Sequence, residues 1–346
     1  MPDLMSPRER VVAALTGHTP DRIPREYSAL PGFLSRHPGA LKRIEQRFPR
    51  DVADCGYRLP ADAVQGDPYA VGTYQDEWGC VFENVHDGVI GQVKHPILDS
   101  YAKLARFEPP MHLIGRGMED VDRTCDHSDC FTLSPLPVQP FERMQFLRGT
   151  EALLRDLLHQ PAGLFELRDL VHEFNMTWIE SWCATRVDAI YIADDWGSQN
   201  SLLISPKLWR ELFRPLYADY ITRARQAGKY VVMHSDGWIL DIMGDLIESG
   251  LDAINAQVTC MDMAELSRRF AGRITFWGQM DRQHMLCFGT EDDARRAARE
   301  FHQHLATAAG SWVVAQMFLE PSALPENAEA VLSEFEGIRP PAGNAP

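Results

Sequence analysis

A chain of 346 residues, 45% hydrophobic with 24 Gly and 23 Pro, can bury a large core. Its 49 acidic against 34 basic side chains leave a formal charge of -15, which disfavours nucleic acid and anionic membrane surfaces as partners. No stretch approaches the ~20 apolar residues that span a bilayer, and the start lacks the apolar core of a signal peptide, so the chain is read as cytoplasmic.

The first element is a short helix, announced by Ser6-Pro7-Arg8-Glu9 ahead of Val11, Val12 and Leu15, a capping box with Pro at the first helical position. The segment Asp21 to Tyr27 leads into a first strand. Between Pro60 and Pro96 the β-prone residues Tyr74, Trp78, Val81 and Phe82 precede Asp87-Gly88 and then Val89, Ile90 and Val93, which predicts one hairpin turning at Asp87-Gly88. This excursion, over about 60–100, should cover one end of the main body.

A strand is expected at Phe131-Thr132-Leu133, and from there strands and helices alternate. Helices near Glu151–Leu158 and Leu164–Thr185 lead to the strand Asp188–Asp194. A helix opened by Ser205-Pro206, bent at Pro215 and stopped by Gly228, leads to Tyr230–Met233. A helix over Ile239–Glu248, the strand Leu251–Ala256, a helix capped by Asp262 and the strand Ile274–Trp277 follow. A helix over Glu291–Ala308, the strand Trp312–Gln316 and a last helix from Pro325 complete the chain. Such alternation implies parallel strands with right-handed crossovers. No Gly-x-Gly-x-x-Gly or phosphate-loop pattern supports a nucleotide-binding sheet, so the expected architecture is a (β/α)8 TIM barrel. Residues 1–346 are taken as one domain.

In such a barrel chemistry sits where strands end, and these ends are polar. One ends in Asp194-Asp195-Trp196 with Gln199, the next in His234-Ser235-Asp236-Gly237, the next in Asn255-Ala256-Gln257. The others end in Gly278-Gln279-Met280-Asp281 and in Gln316, with Glu320 a few residues on. Strand side chains alternate, so His234 and Asp236 share a face. Each alone could be a buried hydrogen-bonding group or, for Asp194 and Asp281, a helix cap. Together they suggest an acidic, amide-lined pocket with Trp196, Trp238 or Trp277 in its wall. His234 and Asp236, with Asp194, Asp195 or Glu320, would suit zinc or another divalent metal. The seven cysteines are odd in number and form no Cys-x-x-Cys, which fits free thiols in a reducing compartment; the run Cys125-Asp-His-Ser-Asp-Cys130 matches no common zinc knuckle.

Several short marks in this order carry a family resemblance. They are Ser6-Pro-Arg-Glu-Arg with Asp21-Arg-Ile-Pro, Asp76-Glu-Trp-Gly, Asp194-Asp-Trp-Gly with Gln199, Ser205-Pro with Trp209, His234-Ser-Asp-Gly, Trp277-Gly with Asp281-Arg-Gln-His284, and Pro325-Glu-Asn327. In them the chain resembles the uroporphyrinogen decarboxylase-like superfamily, which includes corrinoid-dependent methyltransferases. The resemblance implies a barrel, commonly a homodimer, and adds Trp78 to the expected substrate-binding set. It is not that of a true uroporphyrinogen decarboxylase, because the arginine-bearing stretch Arg-Gln-Ala-Gly-Arg is replaced by Arg25-Glu-Tyr-Ser-Ala-Leu-Pro-Gly. The methyltransferase branch binds zinc through His-x-Cys and a later Cys; here those positions hold Asp236 and Met317, with Glu320 nearby.

The leading expectation is a metal-dependent methyltransferase or demethylase of a small methylated or methoxylated compound, with a corrinoid protein as candidate partner. The metal would sit at His234, Asp236 and Glu320. His234, Asp236 and Asp194 would be catalytic, and Asp195, Trp196, Gln199, Gln257, Gln279, Gln316 and Trp78 would bind substrate. Two alternatives remain open. One is a metal-independent decarboxylase in which His234 or Asp236 is the general acid and Gln257, Gln279 and Gln316 hold a carboxylate. The other is a non-catalytic module that binds a corrinoid protein.

Overall fold

The computed structural model describes residues 5–306 and 313–338. Its strands are β1 (Arg25–Ala29), β2 (Val52–Ala53), β3 (Gly72–Gln75), β4 (Val81–Asn84), β5 (Gln92–Val93), β6 (Phe131–Thr132), β7 (Ala189–Ala193), β8 (Tyr230–Ser235), β9 (Ala253–Ala256), β10 (Thr275–Trp277) and β11 (Val313–Leu319). Six of them form a parallel half-barrel sheet in the order β1-β11-β10-β9-β8-β7. The helices between consecutive strands supply the crossovers that parallel pairing requires. β2 and β6 form a second parallel pair. Beyond β6, Leu133 bridges Ala189 of β7 in parallel; beside β1, Asp51 N donates to Arg25 O at 2.9 Å. No helix among the described residues is long and apolar enough to cross a membrane.

Burial falls on both faces of the parallel strands. β9 is buried at every position and β7 at all but Tyr191, as strands covered on both sides must be. On one side lies the main core, shared with the helices. On the other a smaller cluster joins Ala189, Val232, Ala253 and Val314, near the starts of their strands, to Val11 and Ala14 of the helix Pro7–Leu15. That helix carries the expected capping box between Ser6 and Glu9. It is pinned by Arg10, which is fully buried and pairs with Asp21 at 2.5 Å and Asp51 at 2.6 Å. One end of the sheet is therefore closed by apolar packing, and the polar strand ends face the open end.

The structure departs from the sequence reading in several places. The excursion is a three-stranded antiparallel sheet, β3-β4-β5. Its first turn lies at Asp76–Cys80, where Asp76 accepts the backbone N–H groups of Trp78 at 3.0 Å and Cys80 at 2.7 Å. Asp87-Gly88 falls in the longer loop between β4 and β5. The helix after Ser205 is two helices, Pro206–Leu212 and Arg214–Gln226, parting at Phe213 because Pro215 suits the first turn of the second. Residues 307, 308 and Trp312, placed by the sequence reading in a helix and a strand, lie outside the described residues.

Asp194 and Trp196 also take other roles than expected. The fully buried Asp194 accepts Phe141 N at 2.9 Å, Glu142 N at 2.8 Å and the Tyr217 hydroxyl at 2.6 Å. It anchors the start of the helix Pro140–Arg148 to the end of β7, satisfying two N–H groups that a helix start leaves unpaired. Burial, opposed by these hydrogen bonds, pushes its carboxyl up to about 7. Trp196 is fully buried, stacked on Phe141 at 4.0 Å between centroids, and donates to the Tyr217 hydroxyl at 2.7 Å. Both are structural. Asp194→Ala leaves two backbone donors and a hydroxyl without their acceptor, each costing on the order of 1–3 kcal/mol. Urea unfolding of this variant should show a loss of at least about 3 kcal/mol.

Candidate active site

The open end holds a cavity of about 500 Å³, lined by Glu26, Tyr191, His234, Asn255, Gln279 and Gln316 among others. Each comes from a different strand or strand end, and each follows from alternation: one face of the strand packs on helices and the other meets the cavity. Pairing in register sets Glu26 beside Gln316 and His234 beside Asn255.

His234, on the cavity wall, comes together with Asp195 and Asp236, one potential ligand atom of each lying within 4.8 Å of the others. His234 Nε2 is 3.5 Å from Asp195 Oδ1 and 3.4 Å from Asp236 Oδ1. The other ring nitrogen, Nδ1, lies 2.7 Å from Asn255 Oδ1. Asn255 Nδ2 donates to the Trp277 carbonyl, so Asn255 presents its oxygen to His234, and this 2.7 Å contact, shorter than the 3.3 Å from Gln279 Nε2 to the same ring nitrogen, favours the proton on Nδ1. The Nε2 lone pair then faces the two carboxylates, the tautomer a metal ligand needs. Asp236 Oδ1 is buried and has no hydrogen-bond partner, while Oδ2 pairs with Arg282. A buried carboxylate oxygen left bare beside an imidazole lone pair and a second carboxylate suits a cation.

The two loops that carry these carboxylates are locked to each other through their main chains and through the Asp195 carboxylate. Asp236 N donates to Asp195 Oδ1 at 2.8 Å, Gly197 N to Asp236 O at 3.1 Å and Trp238 N to Ser198 O at 2.8 Å. A Cβ at Gly197 would collide with the main chain at Gly237 and Trp238, and Gly237 itself has φ +78°.

The surroundings are acidic. Burial, then the charge of Asp236, raises the Asp195 carboxyl. Glu142, at the start of the helix Asp194 anchors, is pushed up to about 9 by burial and by the charges of Asp195 and Asp194. Glu26 is raised by burial, against the hydrogen bond it accepts from Trp277 Nε1. Burial and nearby acidic charge hold the Tyr191 hydroxyl well above the ordinary tyrosine range, so it stays protonated.

Not every residue expected here arrives. His234, Gln279 and Gln316 line the cavity, and Asp195 and Asp236 join His234. Glu320 stands outside the triad, 3.4 Å from Arg282 Nε, and Asp195 takes the place assigned to it. Met317 is fully buried, because the alternation that turns Gln316 and Phe318 to the cavity turns Met317 away. Gln257 accepts Gly237 N at 2.9 Å and supports the loop. Gln199 is exposed, hydrogen-bonded to Gln283 and Cys260. Trp78 lines a different cavity. The sequence reading missed Glu26, Arg50, Glu142, Tyr191 and Arg282, all but Glu142 on the cavity wall. Arg282 stood in a quoted motif, and Tyr191 and Glu26 could have been found by alternation; Arg50 and Glu142 gave no local signal.

Comparison with the curated proteins returns no match by sequence. Among solved structures, a methyltransferase from Methanosarcina mazei superposes with TM-score 0.69 at 16% identity, over 96% of this chain and 99% of that one, a likeness of fold. A 3-keto-D-glucoside 4-epimerase from E. coli reaches TM-score 0.40 at 14% identity, over 72% of this chain and 97% of that one. The family model described as Uroporphyrinogen decarboxylase (URO-D) matches residues 69–334, most of the chain. This protein therefore belongs to the uroporphyrinogen decarboxylase (URO-D) family.

Proposed function

We propose that this protein is a divalent-cation-dependent methyltransferase or demethylase acting on a small methylated or methoxylated compound, with a corrinoid as methyl acceptor. The bare, buried Oδ1 of Asp236 facing the His234 lone pair carries the reading. The fold of the Methanosarcina mazei methyltransferase is consistent with it. The hydrogen bonds flanking β2 and β6 support closure of the parallel strands into a (β/α)8 barrel, whose chemistry would lie at this end.

Asp195, His234 and Asp236 would hold the cation. When bound, it supplies Lewis acidity to a heteroatom of the substrate. The residues around it do the rest. Asn255 holds His234 in its ligand tautomer. Arg282 keeps Asp236 in place. Glu142 donates a proton to the oxygen that loses its methyl group, a role open to a carboxyl that stays protonated at neutral pH. Gln279 and Gln316 each present a buried amide oxygen without a partner, which suits a hydroxyl on the substrate better than a carboxylate.

A second reading, loss of CO2 from a small carboxylate without a metal, is favoured by Arg50, whose Nε is buried on the cavity wall without a hydrogen-bond partner. Chelation separates the two, because only the first loses activity.

Purified protein should bind about one equivalent of Zn²⁺ in calorimetry, and His234→Ala and Asp236→Ala should each weaken binding by at least about tenfold. Affinity should rise with pH. The raised Asp195 carboxyl retains its proton above the ordinary carboxylate range and must release it before a cation binds. Titrations between roughly pH 5 and pH 8 should therefore tighten steadily and release protons to the buffer; a flat profile contradicts the site. In a cobalamin-coupled demethylation assay Glu142→Gln should lower kcat by about 100-fold, with much less effect on Zn²⁺ binding.

A further inference from the structure

A second cavity, of about 590 Å³, lies beneath the β3-β4-β5 excursion, within the roughly 300–1,000 Å³ range of small-molecule sites. Its walls are aromatic: Tyr74 and Phe82 from the excursion, Trp78 from its first turn, Phe174 and Trp178 from the helix Ala162–Cys183, and Tyr57. The rings pack against one another around the space. Trp78 and Phe174 centroids are 4.6 Å apart, Tyr57 and Trp178 6.1 Å, Tyr74 and Phe82 6.0 Å. Cores close-pack, so a space of this size framed by large rings is a built chamber.

The chamber adjoins the mouth cavity that His234 lines. Asp54 and Cys55 line the mouth cavity, and Tyr57 lines the chamber; Ser134 and Pro135 line the former, Leu136 and Pro137 the latter. Glu142 lines the chamber, and its carboxyl has no hydrogen-bond partner among the described residues while lying within the field of Asp195 and Asp236. The only arginine on the wall among the described residues, Arg143, is occupied: it pairs with Asp76 and with Glu77 at 3.0 Å, and it covers the Trp78 ring at 4.9 Å. Among the described residues of the wall no cation is free to hold an anion, and the Trp78 ring face already carries one.

We infer that this chamber binds a neutral one-ring aromatic ether, its ring among Tyr74, Trp78 and Phe174 and its ether end at Glu142, directed at Asp195, His234 and Asp236. The inference rests on the methyl-transfer reading and names its substrate class. A flat ring gains edge and face contacts with such walls, and one hydrogen-bonding group at the end fixes its direction.

Calorimetry on the full chain with 1,2-dimethoxybenzene, 3,4-dimethoxybenzoate and tetramethylammonium tests it. The neutral ether should bind saturably, one per chain, and more tightly than either ion. Trp78→Ala and Phe174→Ala should weaken it by about tenfold. Because buried substitutions can harm folding, Ile90→Trp is a second probe: Ile90 lines the chamber yet is 55% exposed, so a larger side chain blocks the entrance without opening the core. It should weaken binding about tenfold with unchanged circular dichroism. His234→Ala should keep ring affinity within roughly threefold, the site being separate from the cation cluster. No saturation, preference for either ion, or full affinity in Ile90→Trp overturns the inference. Ring binding as stated without methyl transfer sinks the proposed reaction and leaves the chamber standing. Methyl transfer with an unchanged KM in Ile90→Trp does the reverse.

Discussion

The amide of Asn255 decides what His234 can do. With Nδ2 committed to the Trp277 carbonyl, its oxygen has to face the imidazole, and the imidazole has to present a lone pair to Asp195 and Asp236. Gln279 donates to the same oxygen at 3.2 Å and adds to the hold. Three neighbouring strands thus set one proton. Had the amide been reversed, His234 would point an N–H at the carboxylates and the cluster would be a plain hydrogen-bonded group.

Around that histidine the protein gathers more carboxyl groups than burial lets ionise freely. Asp195, Glu142, Glu26 and Glu320 all have carboxyls held above their ordinary range, each with burial as the leading cause. Arg282 offsets part of this by pairing with Asp236 and approaching Glu320. A pocket of this kind is costly to fold and rewards any ligand that brings positive charge. The aromatic chamber next to it has the opposite character, with its one arginine internally paired. The two cavities thus differ in kind, one lined by carboxyls and the other by rings.

Much of the parallel scaffold was legible from residues alone, because strand–helix alternation and caps such as Ser6-x-x-Glu9 and Asp262 are local events. The polar strand ends were legible for the same reason, and His234 with Asp236 followed from alternation. The excursion misled because its first turn is made by a side chain, Asp76, bonding the backbone, whereas the Asp87-Gly88 pair that announces a turn sits in a longer loop. Asp194 and Asp195 could not be told apart in advance: adjacent residues at a strand end point to opposite sides. One met the start of a helix and the other met His234 and Asp236. Trp78 and Glu142 belong to a chamber assembled from five separate stretches, and no window of sequence contains it.

The crossing of Gly197 and Gly237 has a consequence for how this site can diversify. The positions of the Asp195 and Asp236 side chains are set by main chain touching main chain and by the Asp195 carboxylate, which holds Asp236 N. Residue 236 can exchange a carboxylate for a thiolate and still project to the same point, since its Cα is placed by its neighbours. The glycines hold residue 236 in a fixed frame, so that a substitution there changes the donor atom it presents without rebuilding the loop.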